Sequence, residues 1–280
     1  MDHDEIFNRG ASLSYYFLLA LFPMLLFLTS LLGLVVAQNP QFQSTLYSYL
    51  GRVMPGDASS LVTKTIQEIT THASGLKLAI SLLVALWTAS GGMSALGTSL
   101  NAAYDVREGR PWWKRQLMFL LLTIGVAALI IAALVIILFG AKLATFAGAH
   151  LHLSSAFTVT WMIVQWPIAL FFVILCFALI YYFAPDIEHA RWYWITPGSV
   201  IGVLLWIVAS VGFKLYLHFF DTYAKTYGSL AGVIVLMLWF YITGLALLIG
   251  GEINAQIEHA AAERGRADAK APGEKEAPAA

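Results

Sequence analysis

A glutamate, Glu252, follows two glycines at the end of a long apolar run in "IGGEINAQIEH" (249–259). Ionisable groups beside apolar spans are candidates for function. Gln256, His259 and Glu263 follow it at helical spacing and make a polar stripe, and Asn254 and Glu258 form a second polar pair four residues apart. A second polar group closes "SGGMSALGTSLNAAYD" (90–105), where Asn101, Tyr104 and Asp105 precede Arg107 in the basic stretch "DVREGRPWWKR" (105–115). Two chemistries fit these residues. Asn101, Tyr104, Asp105, Arg107, Glu252 and Asn254 could line the access path of an amphipathic, lipid-like substrate, with Glu252 as a proton-coupling carboxylate. Alternatively they form a polar network that locks helices together. A position near the end of its apolar run lowers the desolvation cost of Glu252, which favours a carboxylate anchored to a cation of the 105–115 stretch over a buried proton carrier.

Other chemistries find little support. No set of clustered carboxylates offers a two-metal site, and no phosphate-binding G-x-x-x-x-G-K-[ST] loop is present. His150 and His152 are the one close histidine pair and read as structural. Cys176 is the single cysteine, allows no intramolecular disulfide, and reads as core packing. The expectation is a protein that is not an enzyme and has no metal and no cofactor. Zero net charge gives no field that would recruit nucleic acid.

The elements that must position these residues are apolar helices. Hydrophobic residues make up 59% of the 280 residues and charged ones 11%, against roughly 25% charged in a soluble domain. Six windows contain no Asp, Glu, Lys or Arg: 10–51, 78–104, 116–141, 143–185, 192–213 and 226–251. About 20 apolar residues suffice to cross a bilayer as a helix. The runs are continuous and lack the alternation of barrel strands. The fold class is therefore all-α, a polytopic transmembrane helix bundle with six spans near 13–36, 77–98, 117–140, 157–183, 195–217 and 229–250. The first span has an acidic flank and is too long for a cleavable signal peptide.

Six spans put both termini on one side, and that side receives ten of the sixteen basic residues, including Arg107, Arg110, Lys114 and Arg115 in one short loop. Basic short loops stay in the cytoplasm, so both termini are expected there. Trp112–Trp113 and Trp192–Tyr193–Trp194 then lie at the cytoplasmic headgroups. Lys214, late in span five, is placed to snorkel to the opposite surface.

The first external loop, 37–76, shows two amphipathic helical patterns separated by "MPGD" (54–57). Pro23 and Pro167 fall inside spans one and four and mark possible kinks or broken-helix sites. "LLVALWTASGG" (82–92) faintly echoes "IGVLLWIVASVG" (201–212), which an inverted repeat would produce. Residues 1–259 make one transmembrane domain, and 260–280, rich in Ala, Pro, Glu and Lys, read as a disordered cytoplasmic tail.

Taken in order, "ASLSYYFLLALFPMLLFL" (11–28), "NAAYDVREGRPWWKR" (101–115), "FAPD" (183–186) with "WITPGSVIGVLLW" (194–206), and "YGSLAGVIVLMLWFYITGLALLIGGEINAQIEH" (227–259) resemble the YihY/BrkB family of bacterial inner-membrane proteins. The resemblance covers nearly the whole chain apart from the tail. It implies six helices and a place in the bacterial cytoplasmic membrane. Relatives have been labelled a ribonuclease, linked to serum resistance and connected to export of envelope lipid or lipopolysaccharide. The residues here support no ribonuclease. Relatives usually carry a further N-terminal segment, whereas about ten residues precede the first span here, so a shortened N-terminal surface or a late start is expected. Partners implied are membrane lipids and a lipid or lipid-linked substrate, with a homo-oligomer compatible.

Overall fold

A chain that must pair its backbone polar groups without water does so inside α-helices. In a computed structural model the backbone is described for residues 3–37, 75–151, 155–187, 195–219, 229–265 and 269–274, and among these residues the regular elements are six helices and no strand. They are α1 His3–Ala37, α2 Gly75–Ala103, α3 Trp112–Leu151, α4 Ser155–Phe183, α5 Pro197–Phe219 and α6 Ser229–Glu263. Each expected span falls on one helix, although α5 starts at Pro197, two residues later than the apolar pattern suggested. Among the described residues, four segments are long and apolar enough to cross a membrane: Trp112–Ile137, Thr160–Phe183, Pro197–Tyr216 and Gly232–Glu263. Pro23 and Pro167 lie within α1 and α4, and neither ends its helix. The amphipathic patterns of the first loop, the His150–His152 pair and the Trp192–Trp194 cluster lie outside the described side chains.

The chain divides into two compact units. One comprises Phe17–Gly92, within which Leu86, Ala89 and Ser90 are buried while Leu83, Val84 and Trp87 are exposed. The other comprises Met1–Tyr16 with Met93–Ala280. Inside it α3 packs on α4, α4 on α5 and α5 on α6, and Gly10 and Leu13 of α1 meet Leu245 and Gly244 of α6. Large apolar side chains on the outward faces of α3, α4 and α5, such as Leu121, Ile163 and Val208, are exposed. Such faces suit a hydrocarbon surrounding.

Small residues set the closest approach. A Cβ on Gly198 of α5 would fall on the Gly250 carbonyl oxygen of α6, and one on Gly250 would fall on the Tyr181 hydroxyl of α4. Gly198 and Gly202 form a G-x-x-x-G face against Ala246 and Gly250, the spacing that lets membrane helices touch backbone to backbone. Buried Tyr181 fills the junction of the three helices and donates to the Leu247 carbonyl at 2.8 Å.

α6 runs past its apolar span to Glu263, as the polar pairs after Gly250–Gly251 lead one to expect, and Ala255 and His259 continue its buried face. The disorder expected of 260–280 does not extend to its described segment 269–274, where Ala269 and Lys270 are buried. The tail composition lacks an apolar stripe, and the segment is held by polar contacts that no stripe announces.

Candidate functional site

The end of α2 shows why the polar residues gather where they do. Val106 N–H donates to the Asn101 carbonyl and Asp105 N–H to the Ala102 carbonyl, the paired bonds of a Schellman cap. The cap needs a left-handed residue, and Asp105 takes it at φ 56°. Asp105 therefore ends the helix, and its side chain stands exposed, as does Arg107.

Asn101, one turn earlier, is buried. Its Oδ1 accepts from the Asp186 N–H at 2.6 Å and its Nδ2 donates to Glu108 Oε2 at 3.1 Å. Arg110 closes the knot. It donates from Nε and Nη2 to the two oxygens of Glu108, each at 2.7 Å, lies 3.4 Å from Asp186 Oδ1, and donates to the Ala184 carbonyl at 2.9 Å. The guanidinium also sits 5.8 Å from the Phe119 ring centre. Asp186 Oδ2 accepts from the Gly109 N–H at 2.7 Å. Burial works against the Glu108 charge, but the Arg110 bonds and charge, with the Asn101 bond, outweigh it and hold the carboxyl below its usual value. The α2–α3 loop is thereby riveted to the end of α4.

Asn254 makes a second joint. Thr196 and Ser199 form a reciprocal cap at the start of α5: Ser199 N–H donates to Thr196 Oγ1, and Thr196 N–H donates to Ser199 Oγ. Pro197 occupies the first helical position, where its missing donor costs nothing. Asn254 Oδ1 accepts from the Gly198 N–H at 2.9 Å and its Nδ2 donates to Thr196 Oγ1 at 3.0 Å. It thus satisfies a helix-start donor of α5 from α6.

Tyr104 is buried in a cluster with Val106 and Ala255, with Ile187 packed against it. Burial pushes its phenol far above the ordinary value, and the charges of Glu258 and then Glu252 push it further, so it stays protonated. Glu252 Oε1 accepts from Gln256 Nε2 at 2.9 Å on its own helix.

The six expected residues therefore divide. Asn101 and Asn254 form hydrogen-bonded joints to other segments, Tyr104 lies in an apolar cluster with Val106 and Ala255, and Glu252 bonds Gln256 on its own helix, while Asp105 and Arg107 face outward. Arg110 pairs with Glu108 and Asp186. A glutamate two residues from the arginine needs little chain ordering to reach it. Sequence reasoning missed Glu108, Arg110, Asp186 and Tyr181. The one available signal was a lone acid, Glu108, between two arginines in an otherwise basic loop. Among the described residues no three His, Cys, Asp or Glu side chains gather as a metal site would require.

Residues 1–274 match the model of the family described as virulence factor BrkB. The ribonuclease-like protein YfkH of Bacillus subtilis (strain 168) is 34% identical over 248 residues, covering 89% of this chain and 88% of that protein. UPF0761 membrane proteins are more distant: that of Xanthomonas campestris pv. campestris (strain B100) is 28% identical over 262 residues and that of Xanthomonas axonopodis pv. citri (strain 306) 27% over 265. The chain spans 58% of the length of each of these two Xanthomonas relatives. No solved structure matches the chain. The match along nearly the whole sequence, joined to the apolar helices, makes this chain a membrane protein of the BrkB family.

Proposed function

We propose that this protein crosses the bacterial inner membrane six times with both termini in the cytoplasm, and that it moves an amphipathic, lipid-like or envelope-precursor molecule rather than catalysing a reaction. The observation that carries the transport reading is Gln165. It is buried in the apolar run of α4, two residues before Pro167, and its Oε1 has no hydrogen-bond partner. An unsatisfied polar group costs energy at any membrane depth, so such a group beside a helix-breaking residue suits a path along which polar substrate groups pass. Ser210 Oγ on α5 is buried without a partner in the same way. The joints around Asn101 and Asn254 hold this path's helices in place.

A second reading, a non-transporting scaffold of envelope biogenesis, draws on those same joints, in which Asn101 and Asn254 each make two hydrogen bonds to other segments. Mass spectrometry of what copurifies from native membranes separates the two. A lipid or lipid-linked glycan retained near one per chain, and lost with Gln165→Leu, supports transport. Stoichiometric copurification of a protein with no lipid enrichment replaces that reading with the scaffold. In a reconstituted lipid-movement assay, unchanged activity of Glu252→Gln removes Glu252 as a coupling group.

A further inference from the structure

Lys270 is 2% exposed, in a segment whose composition would leave it in water. Its ammonium lies 3.4 Å from Glu258 Oε1 on the far end of α6. Burying an ammonium costs several kcal/mol unless a partner is well placed, so the contact identifies a defined docked state. The residues that follow hold a second point of attachment. Ala271-Pro272-Gly273-Glu274 is a tight turn: Glu274 N–H donates to the Ala271 carbonyl, Gly273 has φ 84°, and Pro272 precedes it, as a type II turn requires. Glu274 Oε2 accepts from the Ala271 N–H at 2.9 Å and braces the turn. A Cβ on Gly273 would stand 3.7 Å from the Asp105 carbonyl oxygen, so the turn lies against the cap of α2.

We propose that residues 269–274 are a strap that latches the end of α6 to the α2–α3 turn through Lys270 and Glu258, and that it releases as a unit. Its two attachment points, Glu258 and Asp105, flank the Tyr104–Val106–Ala255 cluster. Release would uncover that cluster and break the Lys270–Glu258 contact, while the Arg110 and Asn254 joints, made by other residues, stay closed. The strap is a conformational device independent of whether the protein transports.

Hydrogen exchange read by mass spectrometry on the full chain in lipid nanodiscs tests it. Lys270→Glu should speed exchange across 269–274 about ten-fold or more, since one carboxylate then faces another. Exchange at 104–106 should rise by a smaller factor, and that around Arg110 should stay unchanged. The double variant Lys270→Glu/Glu258→Lys should return 269–274 to within about three-fold of the native rate, which a residue that only fills space would not do. If the single swap lowers the yield of folded protein, Lys270→Gln is read in its place. Native exchange in both single variants, or no recovery in the double one, overturns the latch.

Discussion

The two ends of α4 treat polar groups in opposite ways. At the Tyr181–Asp186 end, the Tyr181 hydroxyl, the Asp186 carboxylate and the Ala184 carbonyl all meet partners from other segments. Nearer the start, Gln165 Oε1 is buried with none, although Gly140 of α3 leaves the space of a missing Cβ beside it. The first pattern is what stability selects, because each buried group is matched. The second lowers stability. A fixed joint and an unmatched buried amide thus share one helix.

The joint end should break hardest. Arg110→Ala leaves Glu108 and Asp186 facing each other, each at most about a fifth exposed. Removing one partner of a largely buried ionic network costs about 3 kcal/mol or more. We expect a large loss of folded protein in thermal melts in detergent. Arg110→Lys should recover only part of it, since an ammonium cannot reproduce the paired bonds to Glu108. A small effect of Arg110→Ala would mean that the loop is held by apolar contact alone.

Close approach comes next. Gly198→Val places a branched side chain where the Gly250 backbone and Asn254 stand, so α5 and α6 must separate. Overpacking of this kind costs about 1–3 kcal/mol, and the melting temperature should fall by several degrees. Asp105 separates structure from chemistry at lower cost. At φ 56° Asp105→Gly should stabilise slightly and Asp105→Val should destabilise by about 1–2 kcal/mol, as the left-handed cap requires. If Asp105→Gly abolishes lipid movement with the melt unchanged, its carboxylate belongs to the path after all.

The joint also has a pH signature. Glu108 titrates below its ordinary value in the folded chain, so its contribution is complete above the unfolded value, about 4.3, and disappears as pH falls through the lower folded value. Stability should therefore drop on the acid side of about pH 4.3, and Glu108→Gln should flatten that drop. A melt-versus-pH profile with the same acid limb in the variant would assign the loss to other carboxylates.

Much of this architecture was legible from local pattern. Apolar windows gave the helices, and Gly250–Gly251 followed by polar pairs announced that α6 would pack and continue. The cap of α5 was written in "TPGS" (196–199), although its meaning depends on Asn254 arriving from α6. What could not be read was long-range pairing. Arg110 and Asp186 are far apart in sequence, and nothing in "FAPD" says which of several cations its acid will meet. Lys270 was hidden for another reason: one buried charge does not alter the composition by which a tail is judged.

The smallest expected effect on stability is also the sharpest test of the comparison. Gln165→Leu removes an acceptor that has no donor and replaces it with an apolar group of similar size in an apolar setting. Replacing an unsatisfied buried polar group this way is near neutral or stabilising by up to about 1 kcal/mol. Asn101→Leu, an apparently similar change at the other end, strips partners from Glu108 and the Asp186 N–H and should cost about 1–3 kcal/mol. Melts of both variants alongside lipid-movement rates make the contrast quantitative. If Gln165 serves a path, its variant melts at or above the native temperature yet loses activity. If Gln165→Leu destabilises as much as Asn101→Leu, the amide has a structural partner, and α4 carries two joints rather than a joint and a path.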